Sequence, residues 1–341
     1  CRPGWTGYHC QQLNLQKATK GTGYHITDDN NSGKPTSSWG GGVIVDKNDK
    51  NDDTKYHMFL AEFQNHCGVD SWTMNSVVTH AQSTKGYNSA YERVEILHQH
   101  FAHEPNAVRG PNDEIVIYYS AYNYSSNVHE CECSDGSTPP SCQPPGAHFI
   151  NLMDYSPSGS MSGPWIRTVI FPTTPGIPSD TNLAGVINKN GSFLGMMRKW
   201  ITGSEMHLVT STDWKDGTKY IIKEPLLFPQ LSAPYTEDPS LYMDCDGNYH
   251  AIFHNMDPFQ FDPPNGGHAY SEDGIHWIYG GSSWQNVVQF TDGTNFTFSR
   301  LERPHFIFAD DGCTPIALTN GAQYGGRYGD ATYTSLQPIA H

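Results

Sequence analysis

Short apolar runs bounded by turn formers recur along the chain. No segment of fifteen residues keeps the i, i+3, i+4 apolar spacing of an amphipathic helix. The runs Tyr56–Phe63, Glu114–Tyr119, Phe193–Met197, Tyr249–His254 and Cys313–Leu318 read as strands. Asn190-Gly191, Asp246-Gly247, Asp273-Gly274 and Asp292-Gly293 are hairpin dipeptides, because glycine supplies the positive φ that a tight turn needs.

Aligned on these strands, the chain shows a weak repeat. Each unit opens with a short polar or glycine motif, then an apolar strand, a polar turn and a second apolar strand. The motifs are Trp39-Gly-Gly-Gly42, His103-Glu-Pro-Asn106, Asp180-Thr-Asn182, Glu237-Asp-Pro-Ser240 and Glu302-Arg-Pro-His305. They begin near 40, 104, 180, 237 and 302, at intervals of 64, 76, 57 and 65 residues. A four-stranded sheet with its loops fills such an interval, so the pattern predicts an all-β fold, a five-bladed β-propeller. A β-sandwich or a parallel solenoid is the alternative. In a propeller the first strand of each blade lines the axis, and the five motifs converge on one pocket.

Composition agrees with this picture. Charged residues are 16% of the 341, aromatics 12%, and Gly 33 and Pro 23 supply the turns. The formal net charge of −15, with no Lys/Arg cluster, makes nucleic acid and anionic membranes poor partners. No apolar stretch is long enough for a membrane helix, and a monomer is expected.

Cys1-Arg-Pro-Gly-Trp-Thr-Gly-Tyr-His-Cys10 resembles the last loop of an EGF-like module. The resemblance implies a Cys1–Cys10 disulfide, a secreted protein, and a division into residues 1–12 (remnant of that module) and 13–341 (propeller). Of Cys131 and Cys133, one is expected to close the Pro-rich loop to Cys142 and the other to reach Cys67; metal binding is the rival reading. Cys245 and Cys313 hold matching places in two repeats and are expected to pair across neighbouring blades. Sequons at Asn30, Asn123, Asn190 and Asn295 fit a secreted glycoprotein.

Carboxylates crowded at one mouth shift each other's pKa, so one can carry a proton while another stays charged, the combination glycosidic hydrolysis needs. At this point the sequence resembles the five-bladed propeller glycoside hydrolases, families 43, 32 and 117. Glu237-Asp-Pro-Ser-Leu-Tyr242 is similar to the motif holding their general acid, and Asp180 with the Asn190-Gly191 hairpin to the blade holding a pKa-tuning aspartate. His268-Ala-Tyr-Ser-Glu-Asp-Gly-Ile-His-Trp277 resembles the next strand of the acid's blade. The family's base, an aspartate in blade one, is replaced by Trp39-Gly-Gly-Gly42.

The resemblance therefore implies hydrolysis of a polysaccharide or oligosaccharide, anionic glycans included, with Glu237 as acid, Asp180 tuning it and Glu104 as substitute base, Asp28 and Asp29 standing behind Glu104. Trp39, His103, Arg198, His254, His268, Glu302 and Arg303 are the expected substrate contacts, Trp39 by stacking on a sugar ring. No cofactor is required, no metal ligands are assigned, and a structural calcium ion in the central channel is compatible with the resemblance. The lost aspartate keeps two other readings open: a lectin-like module, and a lyase in which Arg198 or Arg303 holds a uronate.

Overall fold

In the computed structural model the turn dipeptides close hairpins. Gly191, at φ 82°, donates its N–H to the Asn188 carbonyl at 2.9 Å and joins strand Ala184–Ile187 to Phe193–Trp200. Gly247, at φ 91°, does the same for Thr236–Met243 and Tyr249–Asn255. The structure describes residues 1–8, 10–24, 36–98, 101–123, 131, 148–171, 181–200, 204–224, 227–228, 236–255, 265–324 and 332–341.

The strands form antiparallel meanders, unit by unit. Unit one is Ser38–Val45, Tyr56–Phe63, Ser76–Ser83 and Ala90–His98. Unit two is Ala102–Arg109, Ile115–Tyr122, Phe149–Ser156 and Ile166–Ile170. Units three and four open with Ala184–Ile187 and Thr236–Met243. Unit five has Arg300–Phe308, Pro315–Gln323 and Thr332–Pro338, and Gly23–Tyr24 from the N-terminal region adds to it. Gly23–Tyr24 also pairs in parallel with Ala90–His98, so the last unit and the first share one eight-stranded sheet.

The first strands touch in sequence, unit one to two, two to three, three to four, four to five, and five back to one. The core lies between neighbouring sheets. Phe59 and Ile44 meet Ile117 and Leu152; Tyr118 meets Phe193; Met196 and Met206 meet Phe253; Tyr242 and Ile252 meet Phe306; Met58 and Leu60 meet Ile307 and Leu336.

Disulfides Cys1–Cys10, Cys67–Cys131 and Cys245–Cys313 have Cα separations of 5.0, 5.2 and 5.2 Å. The last ties hairpins of units four and five, as expected; Cys133 and Cys142 lie outside the described residues. Residues 1–12 do not stand apart. Trp5 shares the core between units four and five, Cys10 packs against it, and Arg2 pairs with Asp244 at 2.9 Å. No helix among the described residues is long and apolar enough to cross a membrane.

Candidate active site at the mouth of the ring

The start of each first strand carries the same backbone feature. Gly40, Glu104, Asn182, Asp238 and Arg303 have φ of 64°, 62°, 47°, 55° and 51°. In four units this coincides with a bulge, between Trp39 and Gly41, His103 and Asn106, Glu237 and Ser240, and Glu302 and His305. A bulge re-aims the side chains around it. Two layers result, one residue apart in sequence. Trp39, His103, Thr181, Glu237 and Glu302 hold the mouth-side positions; Gly40, Glu104, Asn182, Asp238 and Arg303 line a small central cavity.

The inner layer is a closed polar ring. Arg303 donates to Glu104 and stands 3.5 Å from Asp238. Asn182 donates through Nδ2 to Asp238 at 2.8 Å and through its backbone N–H to Glu104 at 3.1 Å. Both Glu104 oxygens are thus occupied, so the residue is not placed to deprotonate a water. This corrects its expected role as base. The slip is one residue: His103, not Glu104, is the counterpart of Glu237 and Glu302. Calcium needs six to eight oxygen ligands. Here the guanidinium of Arg303 takes up the two carboxylates, and these residues do not fit a calcium ion.

The outer layer joins units three, four and five. Arg198 pairs with Glu237, whose Oε1 accepts from His254 Nδ1 at 3.2 Å. His254 Nε2 stands 3.7 Å from Glu302 Oε1, beyond a hydrogen bond. Arg300 Nε donates to that same Glu302 oxygen at 2.8 Å. Burial alone would push Glu237 up, but Arg198 and the His254 hydrogen bond outweigh it and hold the carboxyl at about 2. Burial would strip His254 of its proton, yet Glu302 and Glu237 overcome it and raise the imidazole to about 9. The two shifts run in the directions that favour a charged His254 beside an ionised Glu237, which is its carboxylate anchor. The resemblance implies a protonated carboxyl at Glu237, whereas here Arg198 and His254 both pair with it. Asp238 is pushed well above the usual carboxylate range by burial, then by Glu237 and Glu302. Glu237, Asp238, His254 and Glu302 bring potential metal ligands within 4.8 Å of one another, but Arg198 and Arg300 already neutralise the two glutamates.

Other expected contacts fall elsewhere. Trp39 is 3% exposed, packed with Ala61, Phe63 and Val69, and offers no face to a sugar. His268 faces Trp5, ring centroids 4.2 Å apart, and His250 at 3.0 Å; it belongs to the packing between units four and five, not to the Glu237 cluster. His103 is buried, bonded to Ser76 at 2.6 Å and stacked under Trp72 at 4.9 Å, and burial keeps it neutral. Asp180, Asp28 and Asp29 lie outside the described residues. The sequence pattern did not single out Arg300 or the buried Glu62, which Arg93 holds at 2.7 Å and Tyr24 also reaches. An acidic residue two before proline, in Glu237-Asp-Pro and Glu302-Arg-Pro, was the signal that separates the layers.

No family profile matches the sequence, and no curated protein does. Solved structures do. Zg3597, a family 117 glycoside hydrolase of Zobellia galactanivorans, aligns over 97% of this chain and 90% of its own, at 10% identity and a TM-score of 0.60. The α-L-arabinofuranosidase PaAbf62A of Podospora anserina covers 95% and 98% respectively, at 11% identity and a TM-score of 0.60. An endo-arabinase of Bacteroides thetaiotaomicron covers 89% and 95%, at 14% identity and 0.53. This is the fold of the propeller glycoside hydrolases. The all-β ring expected from the repeat is borne out.

Proposed function

We propose that the chain is a five-bladed propeller that hydrolyses glycosidic bonds at the mouth of its ring. The blade count is supported by five first strands in cyclic contact and five inter-sheet cores. The activity is supported by one observation above the rest: the buried His254 is fastened through Nδ1 to Glu237, beside Glu302, with Nε2 lacking a partner at hydrogen-bond distance among the described residues, and the two glutamates raise its pKa.

In this reading His254 Nε2 gives its proton to the leaving glycosidic oxygen as the C–O bond breaks. A water adds to the anomeric carbon from the opposite side and yields its proton to a carboxylate. Asp180 lies outside the described residues and is the candidate base, in place of Glu104, on its sequence position alone. Glu237 and Glu302 stabilise the imidazolium before transfer, and Arg198 keeps Glu237 ionised. The nearby EGF-like motif and the disulfides favour a secreted location.

The test is release of reducing ends from a panel of plant and algal polysaccharides, with D180N and H254Q beside the wild type. Release by the wild type and its loss in both variants is expected. A product absorbing in the ultraviolet would instead indicate elimination by a lyase, and binding without any release would indicate a lectin.

A further inference from the structure

Arg300 is a largely covered arginine held on two sides. Its guanidinium lies over the Trp39 ring, Cζ 5.1 Å from the centroid, and its Nε donates to Glu302. The tryptophan that replaces the expected blade-one aspartate is thus the bed for a cation. The bed is built: a Cβ on Gly321 would stand 2.6 Å from the Trp39 ring, and a Cβ on Gly40 would stand 2.6 Å from Arg303 Cβ. Glycine at 321 leaves room for the indole under Arg300, and glycine at 40 leaves room for the neighbouring Arg303. Stacking and the Nε bond fix the plane of the guanidinium, while the side chain stays 28% exposed. Among the described residues neither Nη group of Arg300 meets a carboxylate.

We propose that Arg300 reads an anionic group on the glycan, its two Nη groups forming a fork for the oxygen pair of a uronate carboxylate or a sulfate ester. The inference rests on the reading that a glycan occupies this mouth, and adds the substrate class. A planar fork held at one edge presents two parallel N–H bonds to such a group, which an ammonium does not. Arg198 is committed to Glu237, whereas Arg300 gives only its Nε to Glu302. The chain's net charge of −15 opposes an anionic polymer at long range. Physiological salt screens that repulsion beyond about 8 Å, so the contact decides.

The test is calorimetric binding of three oligosaccharides of matched length, one galacturonate-based, one sulfated galactan and one neutral, to the wild type, R300Q and R300K. Thermal melts confirm that each variant folds. The expected result is a preference of about tenfold or more for one anionic class over the neutral ligand, abolished in R300Q and reduced in R300K. Which anionic ligand binds identifies carboxylate or sulfate. Equal affinity for neutral and anionic ligands in the wild type, or an undiminished preference in R300Q, overturns the proposal. If R300Q does not fold, R300K decides: an unchanged preference there rules out the fork. Anionic binding that depends on Arg300 without release of reducing ends would remove the hydrolase reading and leave this one standing.

Discussion

His254 concentrates the chemistry in one side chain. It is 5% exposed, and two glutamates keep it charged against its burial. Replacing it with glutamine removes the donor while nearly preserving its volume. H254Q is expected to lower turnover about 10²- to 10⁴-fold, with the far-ultraviolet circular dichroism unchanged. Gly40 tests the backbone beneath. Its φ of 64° and the 2.6 Å gap that a Cβ would leave to Arg303 mean G40A strains both chain and neighbour. A loss of about 1–3 kcal/mol in urea denaturation is expected, and an unchanged midpoint would contradict the close packing of the ring. The same residues mark what could be read from sequence. Glu237 and Glu302 were legible as residues of converging strand entries, while the bond of Glu237 to His254 across the strand pair was not. Glu104 was misread because its carboxylate stands one place further on, and a one-residue change of register sends a side chain to a different layer. Trp39 looked like a sugar platform because burial at a glycine-lined strand leaves no trace in residue type alone.

The first strands work as elements because each one is preceded or opened by a positive-φ residue at the same level, and four of them bulge there. These features turn five sequence-distant motifs toward one axis, and proline after Glu104, Asp238 and Arg303 fits the break in pairing. Turn dipeptides made the hairpins legible. The closure was not legible, since a two-residue strand, Gly23–Tyr24, has too little pattern to declare a partner. Pairing of Cys245 with Cys313 was legible from their matching places in the repeat, and it pins unit four to unit five across 68 residues. The double variant C245S/C313S is expected to lose about 2–4 kcal/mol of stability in denaturant titrations, while keeping wild-type turnover at room temperature. The bond lies past the far ends of the strands Thr236–Met243 and Arg300–Phe308, whose opposite ends carry Glu237 and Glu302. A collapse of activity without a loss of stability would show that it acts on the site directly.

At the scale of the molecule, the ring couples stability to pH through the ion pair at its mouth. Glu237 has a folded value near 2, below its ordinary 4.5, so its contribution is whole above 4.5 and disappears as pH falls toward 2. His254 has a folded value near 9, above its ordinary 6.5, so its contribution is whole below 6.5 and disappears as pH rises through 9. Both are ends of one interaction, which is complete between those two ordinary values and contributes at most about 3 kcal/mol. Urea midpoints of the wild type should therefore drop between about pH 6.5 and about pH 9, and those of H254Q should lose that particular decline. The central claim is that this buried imidazolium protonates a leaving sugar. The most direct measurement is the pH profile of reducing-end release for wild type and H254Q on whichever polysaccharide the panel identifies. The account predicts wild-type release that declines on the alkaline side as His254 gives up its proton, and background release from H254Q at every pH. Equal profiles for the two proteins would contradict it.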